Sequence, residues 1–381
     1  MKIVMAPDSF KGALRSPEVA SALAAGWRAV RKTDEVVEIP LADGGEGTAE
    51  ALCRSTGGRR VEVSAHDALM RPVAAEYVVL GGGTAAVMEM ASASGIELLS
   101  RDELDPLTAT TYGAGEVLLA ALRSGADEVV IGIGGSATVD GGAGFLQALG
   151  AEFYDVSGRL LPRGIGGGSL ERIAGIDLSA LDALPDCKLT VACDVTNPLL
   201  GENGAAAVFG PQKGATSGTV PVLERNLCHW AELLKDADII RDCKSPGDGA
   251  AGGLGFALRA VMKAEMRSGA ELVIRLSGLP KALENADLVI TGEGCSDRQT
   301  VCGKLCSVVA KHASAAGVPA VLCSGALRGG TAELEKVFAA VFSIAAGPGT
   351  LDAAIAATGE NLRRAGANIA GLASAFSGSR G

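Results

Sequence analysis

The sequence predicts an α/β protein of two domains, one of which is inserted into the other. Glycine contributes 53 of 381 residues and aromatic residues only 3%, as is typical of α/β enzymes with many tight strand-to-helix turns. At both ends of the chain, a short apolar strand is followed by acids or glycines and then by a helix. Residues 61–90 instead have the pattern of antiparallel strands, which indicates a second domain.

Both terminal regions follow the strand-to-helix pattern. The first helix begins near Ser16, which can cap it, and Pro17 suits its first turn. The predicted strands are 2–6, 35–41, 287–291, 318–323 and 337–343, and the predicted helices are 16–31, 48–56 and 303–316.

The central region is predicted to form the inserted domain. A hairpin or meander comes first, and parallel strands and helices follow it. The predicted strands are 61–64, 73–80, 85–89, 128–133 and 188–192, with a helix over 112–124. We place one domain at residues 1–61 and 285–381 and the inserted domain at 62–284.

Charge and cysteine content limit the functional classes. The net charge is −10, with no basic cluster to offset it, so we expect neither nucleic acid nor a membrane as a partner. The first eight residues lack a signal-peptide pattern, and no apolar run is long enough to span a membrane. Nine cysteines without a CxxC pair favour reduced thiols, so we expect a cytoplasmic protein.

Acids and glycines follow the predicted strands. Asp8, Asp43, Asp194 and Glu293 each follow a strand, and a fifth strand ends at 134–136, Gly-Gly-Ser. In open parallel sheets, ligands bind at the carboxyl ends of strands. Carboxylates bind Mg²⁺, and glycines let backbone N–H groups approach phosphate oxygens. The pattern therefore predicts phosphoryl transfer, with these acids converging on one site.

Other functions receive weaker support. There is no GxxxxGK[ST] phosphate loop, and neither a GxSxG motif nor a suitable histidine set indicates a hydrolase. Residues 132–137 fit GxGxxA, with Asp155 about 20 residues further on, so an NAD-linked oxidoreductase of a small hydroxy acid is one alternative. However, the sequence Asp-Gly-Gly at 140–142 would interrupt the helix that such a site requires. A non-catalytic metabolite-binding protein is the other alternative.

Many segments resemble the bacterial glycerate kinase family, the type that includes the glycerate kinases of glucarate and glyoxylate metabolism. They run in order through nearly the whole chain. The matching segments are 6–12 (APDSFKG), 40–48 (PLADGGEGT), 91–95 (ASASG), 110–113 (TTYG), 134–142 (GGSATVDGG), 193–199 (CDVTNPL), 209–215 (FGPQKGA), 249–255 (GAAGGLG) and 291–294 (TGEG), then Asp297, Gln299-Thr300 and Gly303-Lys304.

This resemblance implies both fold and activity. It implies a flavodoxin-like (Rossmann-like) domain built from both termini and an inserted α/β domain of the restriction-enzyme-like type. It also implies ATP and Mg²⁺ as cofactors, D-glycerate as the acceptor and 2-phosphoglycerate as the product. The chain departs from the family pattern at Val139, Cys295, Ser296 and Cys302, which puts tight selectivity for glycerate in question.

Residue chemistry then suggests roles at the site. Lys11, Asp43, Asp194 and Asp297 are the candidate catalytic residues, with Asp194 and Asp297 also candidate metal ligands; the sequence leaves open which acid is the base. The oligomeric state stays open, as does the choice between the C2 and C3 hydroxyl. The candidate cofactor-binding residues are Ser9, Gly44, Gly45, Gly134, Gly135, Ser136, Thr138, Asp140, Glu293 and Lys304, and the candidate substrate-binding residues are Asn197, Gln212 and Lys213.

Overall fold

The computed structural model describes residues 1–42, 45, 47–301, 303–329 and 331–377. Within them, the strands are β1 Lys2–Met5, β2 Glu35–Glu38, β3 Arg59–His66, β4 Pro72–Val79, β5 Ala85–Glu89, β6 Glu128–Gly132, β7 Glu152–Tyr154, β8 Gly175–Asp177, β9 Lys188–Ala192, β10 Glu265–Arg267, β11 Leu288–Ser296, β12 Ala320–Leu327 and β13 Ala340–Ser343. The α-helices are α1 Ser16–Val30, α2 Thr48–Thr56, α3 Ala91–Ser94, α4 Tyr112–Leu122, α5 Ala143–Ala148, α6 Val220–Asp236, α7 Leu254–Phe256, α8 Gly269–Ser277, α9 Leu279–Leu283, α10 Leu305–Ala315, α11 Ala332–Glu335, α12 Leu351–Ala356 and α13 Thr358–Ser377.

The chain divides into two compact units. The first unit comprises Met1–Asp43, Glu50–Gly57 and Ala270–Gly381, and the second comprises Gly44–Ala49 and Gly58–Gly269. Helices alternate with parallel strands in both units, so the predicted α/β class is confirmed. The boundaries proposed at 61/62 and 284/285 stay a prediction. In the part of the chain that the structure describes, no helix is both long and apolar enough to cross a membrane.

The first unit contains a parallel sheet. Its described strands are arranged in the order β2-β1-β11-β12-β13. Apolar side chains of β1 and β11, such as Ile3 and Ile290, are fully buried in the core beside Trp27 of α1. Helices α1 and α13 cross closely, because a Cβ at Gly26 would lie only 2.0 Å from the carbonyl oxygen of Arg363. The two chain ends are therefore packed into one unit.

The second unit contains a mixed sheet in the order β3-β4-β5-β6-β9-β10. Strands β3, β4 and β5 are antiparallel, which confirms the change of pattern predicted for residues 61–90. Strands β5, β6, β9 and β10 are parallel, so their carboxyl ends lie along one edge. The core includes Ile131, Phe145 and Trp230, all fully buried.

One predicted strand end is wrong. Gly-Glu-Gly at 292–294 was expected to follow a strand, but β11 continues through it to Ser296 and pairs with β12. The two strands approach closely because glycine has no side chain there: a Cβ at Gly292 would lie 2.1 Å from the carbonyl oxygen of Cys323. Glu293 therefore lies inside a paired strand, opposite Ser324.

Candidate active site

The strand order of the first sheet reverses between β1 and β11. From β1 the chain continues to β2 on one side, whereas the later strands add on the other side. Such a switch point, at the carboxyl ends of the strands, is where open parallel sheets bind ligands. The backbone N–H of Asp8 donates to the carbonyl of Gly292 at 2.8 Å, which holds the segment after β1 against β11. Ser9, half-buried, and Lys11, exposed, lie in this segment.

Glu293 is anchored at the same edge by hydroxyl groups. Its Oε1 accepts hydrogen bonds from Ser296 Oγ at 2.8 Å and from Thr300 Oγ1 at 2.7 Å. Ser296 also bonds to Ser324 on β12, and both serines are fully buried. The carboxylate of Glu293 is thus held by two hydroxyl groups, one at the end of its own strand and one in the turn that follows.

Asp297 directly follows β11, and Lys304 lies further along the chain, before α10. Asp297 is half-buried, and its Oδ1 accepts a hydrogen bond from the backbone N–H of Gln299 at 2.7 Å. Lys304 is exposed and directly precedes α10. Both predicted residues therefore lie in the segment that joins β11 to α10, and both retain exposure to solvent.

The thiol of Cys306 is buried beneath this edge. Burial raises its pKa well above the ordinary value, and the charges of Glu293 and Asp8 raise it further. Such a thiol stays protonated and is a poor nucleophile. Cys302, one of the departures from the family pattern, lies outside the described residues.

Four parallel strands of the second sheet present one row of residues at their carboxyl ends. Glu89 pairs in register with Gly132, Gly132 with Ala192, and Ala192 with Arg267. Asp194 follows two residues after Ala192. Adjacent strands are about 4.8 Å apart. The glycine loop after β6 therefore has Glu89 on one side and Asp194 on the other.

The loop after β6, residues 133–142, carries the predicted phosphate-binding residues. Gly134 and Gly135 are exposed, whereas Ser136 is 8% exposed and Thr138 fully buried. A Cβ at Gly134 would lie 3.4 Å from the Cα of Gly45, so these two predicted glycines are brought together. Exposed glycine backbone at a strand end can approach phosphate oxygens closely.

Asp140 fixes the shape of this loop. It is fully buried, and its carboxylate accepts hydrogen bonds from Thr111 N at 2.8 Å, Thr111 Oγ1 at 2.7 Å, Gly142 N at 3.0 Å and Gly144 N at 3.3 Å. Burial raises its pKa, and the hydrogen bonds from Thr111, Gly142 and Gly144 oppose this rise. The geometry gives Asp140 a positioning role, and a direct contact with the cofactor stays a prediction.

Lys213 is buried behind the loop. It is 1% exposed, and its Nζ donates to Ser136 Oγ at 2.7 Å and to the carbonyl of Thr138 at 2.8 Å. Burial lowers its pKa to about 7, against the raising effect of Asp140. Lys213 therefore forms hydrogen bonds with two predicted cofactor-binding residues. Its contact with the substrate stays a prediction.

The glycine-rich segment 249–255 packs against the same loop. The N–H of Gly141 donates to the carbonyl of Gly252 at 3.0 Å. Gly249 N donates to the carbonyl of Asn197 at 2.9 Å, so the segment also contacts the loop after β9. Arg259 binds Asp248, which is fully buried, at 2.6 Å and thereby fixes the start of the segment.

The remaining predicted residues lie mainly on the loop after β9 or outside the described chain. Asp194 is exposed, and its Oδ1 accepts a hydrogen bond from Gly269 N at 3.1 Å. Asn197 donates to the carbonyl of Asn203 at 2.9 Å. Gln212 is exposed beside Lys213. The predictions for Asp43 and Gly44 lie outside the described residues.

Glu89 lies at the candidate site but was not among the residues predicted from the sequence. Its carboxylate accepts hydrogen bonds from Ala49 N at 2.8 Å and Gly47 N at 3.4 Å, and so holds the glycine segment that contains Gly45. Its sequence signal is an acid at the end of the predicted strand 85–89. Glu89 has neither a glycine nor a polar residue directly beside it that would indicate a binding loop.

We expect Glu89→Ala to reduce the free energy of unfolding by about 1–3 kcal/mol, because two backbone N–H groups lose a charged acceptor. The measurement is urea unfolding. Glu97→Ala, which removes an exposed acid nearby in sequence, is the matched control and should change stability by no more than about 0.5 kcal/mol. Equal stability of both variants would contradict the positioning role of Glu89.

The oxygen donors at these edges suit Mg²⁺, which prefers carboxylates, water and substrate phosphates as ligands. Asp194 and Asp297 both retain solvent exposure, as such a ligand requires. Among the residues that the structure describes, no three His, Cys, Asp or Glu side chains are grouped to hold a metal ion. Mg²⁺ would thus depend on one or two carboxylates together with nucleotide phosphates.

The dinucleotide alternative lacks its structural context. A GxGxxA fingerprint must open a helix directly after the strand. Here the residues after β6 form a loop, and α5 begins only at Ala143 and has six residues. The interruption predicted at Asp140-Gly141-Gly142 is therefore confirmed.

Comparison with known proteins identifies similar chains. The model of the Glycerate kinase family matches residues 3–374. A protein of Escherichia coli (strain K12) named glycerate 2-kinase is 45% identical over 372 residues, or 97% of each chain. A glycerate kinase of Bacillus subtilis (strain 168) is 44% identical over 374 residues, again 97% of each chain.

The fold is also similar to a solved structure. A crystal structure of a Salmonella typhimurium LT2 protein, provisionally designated glycerate kinase 2, superimposes with a TM-score of 0.89. The two sequences are 42% identical, and the match covers 99% of each chain. Both sheets described above lie within the matched length.

Proposed function

Because this chain belongs to the glycerate kinase family, we propose that it transfers the γ-phosphoryl group of ATP to D-glycerate. The observation that carries the proposal is the family match over residues 3–374, which includes the strand-end residues of both units. The similar protein of Escherichia coli is named a glycerate 2-kinase, which supports 2-phosphoglycerate as the product. A cytoplasmic location stays a prediction.

We propose a flavodoxin-like fold for the first unit and a restriction-enzyme-like fold for the inserted one. In chain order, the strands of the first sheet are arranged 2-1-3-4-5, the order of flavodoxin-like folds. This order supports the proposal for the terminal domain. For the inserted domain, the support is the family resemblance.

The second sheet offers the features that a phosphate tail requires. Gly134 and Gly135 leave the backbone accessible, and Ser136 is a hydroxyl donor beside them. Phosphoryl transfer depends mainly on positioning and on neutralising charge. We propose that this loop binds phosphate oxygens and that the Asp140 network keeps it in one shape.

Asp194, Asp297 and Lys11 are proposed to act on the reacting groups. A carboxylate from Asp194 or Asp297 accepts the proton of the glycerate hydroxyl as the new P–O bond forms and the bond from the γ-phosphorus to ADP breaks. Lys11 binds a phosphate or the glycerate carboxylate through its ammonium group. Mg²⁺, when bound, would neutralise phosphate charge, and Asp194 or Asp297 would hold it.

A coupled assay of ADP release tests the activity. We expect ADP release that depends on D-glycerate. In excess EDTA, ADP measured directly by chromatography should not form, because Mg²⁺–ATP is the proposed donor. ³¹P and ¹³C NMR of the product should show phosphate on the C2 oxygen. ADP release without phosphoglycerate would contradict the proposed acceptor, and turnover in excess EDTA would contradict the metal.

A further inference from the structure

The ammonium group of Lys213 donates a hydrogen bond to the hydroxyl group of Ser136. A serine hydroxyl has one hydrogen to donate and two lone pairs to accept. Lys213 Nζ donates to Ser136 Oγ at 2.7 Å and so occupies a lone pair. The hydrogen of Ser136 then needs another acceptor, and none is found for it within the described ranges.

Ser136 is the part of this pair that a ligand can reach. It retains 8% exposure, whereas Lys213 retains 1%. Ser136 directly follows Gly134 and Gly135, which are both exposed. A ligand oxygen at this glycine edge can therefore accept the Ser136 hydrogen without touching the lysine.

We propose that Lys213 is a positioning residue whose protonation makes Ser136 a hydrogen-bond donor to an anionic oxygen of a substrate. This inference rests on the proposed kinase function and deepens it, because ATP and glycerate both carry such oxygens. When Lys213 loses its proton to water, its nitrogen gains a lone pair that accepts the Ser136 hydrogen. Ser136 then presents only lone pairs to the ligand, and these repel an anion.

The surroundings of Lys213 place this change near neutral pH. Burial lowers its pKa to about 7 from the ordinary 10.5, and Asp140, the charged group that acts on it among the described residues, raises it. A bound anion favours the ammonium form and so raises the pKa of Lys213. Above about pH 7, binding of the anion is therefore accompanied by protonation of Lys213. The affinity then falls by up to about tenfold for each unit by which the pH rises.

Calorimetric titration at about pH 8.5 tests the proposal. At this pH the phosphates of ADP and the carboxylate of glycerate are already ionised, so the ligands themselves take up no proton. Mg²⁺–ADP and D-glycerate are titrated separately, each in two buffers of different ionisation enthalpy. We expect the wild-type protein to take up close to one proton with one of these ligands, which identifies the ligand that meets Ser136.

Two variants and a control separate the outcomes. Lys213→Met should abolish proton uptake and make binding independent of pH, and Ser136→Ala, which retains the lysine, should weaken binding at pH 7 and reduce the uptake. Lys235→Met, at an exposed lysine of α6, should behave as wild type. Circular dichroism confirms that each variant is folded.

Some results would overturn the inference. Undiminished proton uptake in Lys213→Met would do so, as would wild-type binding without uptake for both ligands. If Lys213→Met does not fold, unchanged binding and uptake in Ser136→Ala would be decisive. Failure of the kinase proposal is distinguishable, because it appears as missing ADP release with glycerate whatever the proton uptake.

Discussion

Asp194→Asn is expected to lower kcat/KM for glycerate by about 10²–10⁴-fold while the protein stays folded. Asp194 is exposed at the end of β9, and its Oδ1 accepts a hydrogen bond from Gly269 N at 3.1 Å. The amide oxygen of asparagine can keep this hydrogen bond. The substitution therefore removes the negative charge, and with it a proton acceptor and a Mg²⁺ ligand, at little structural cost. The measurement is the coupled assay of ADP release.

The matched control for Asp194 is Glu202→Gln, which neutralises another exposed acid on the same loop. We expect its kcat/KM to stay within about twofold of wild type, since surface substitutions usually have little effect. Lys11→Ala supplies an independent comparison in the first unit and should lower kcat/KM by orders of magnitude. A near wild-type rate for Asp194→Asn would remove Asp194 from the active site.

Strands with a plain apolar pattern could be predicted from the sequence. Strands β5 and β9 have the predicted bounds, because β-branched and apolar residues bounded by glycines or charges leave little ambiguity. The end of β11 could not be predicted, because Gly292 and Gly294 have the appearance of a turn. Only the position of β12 shows that Gly292 allows the close approach of two strands.

The chemistry of the site could be predicted only in part. The loop after β6 was recognised because its glycines, serine and acid are adjacent in sequence. Roles that depend on burial could not be predicted: the sequence suggests cofactor binding for Asp140 and substrate binding for Lys213. The hydrogen bonds of these two residues join distant parts of the sequence: Lys213 bonds to Ser136, 77 residues away, and Asp140 bonds to Thr111, 29 residues away.

Gly252→Ala is expected to reduce the free energy of unfolding by about 3–5 kcal/mol. A Cβ at this position would lie 1.9 Å from the carbonyl oxygen of Thr138 and 2.6 Å from the Cα of Val139. Both atoms belong to backbone, so no side chain can rotate away. Gly252 also has a φ of +67°, which strains any residue with a side chain. Urea unfolding measures the loss of stability.

The neighbouring residue Ala251 provides a control in which the exchange of alanine and glycine is reversed. Ala251 has a φ of +53°, so Ala251→Gly removes the strain of a left-handed conformation. It also raises the conformational entropy of the unfolded chain, which lowers stability. These effects nearly cancel, and we expect a change within about 1 kcal/mol. Similar stability of Gly252→Ala and Ala251→Gly would show that segment 249–255 is not closely packed against the loop after β6.

Gly252→Ala should also affect binding, because the carbonyl of Thr138 accepts the hydrogen bond from Lys213. A methyl group that displaces this carbonyl must shift the loop, and Ser136 with it, away from the position in which the ammonium group holds it. We therefore expect the folded fraction of the variant to bind the ligand that meets Ser136 at least tenfold more weakly at pH 7, a difference of about 1.4 kcal/mol. Wild-type affinity in a destabilised variant would mean that segment 249–255 supports the fold but does not position the site.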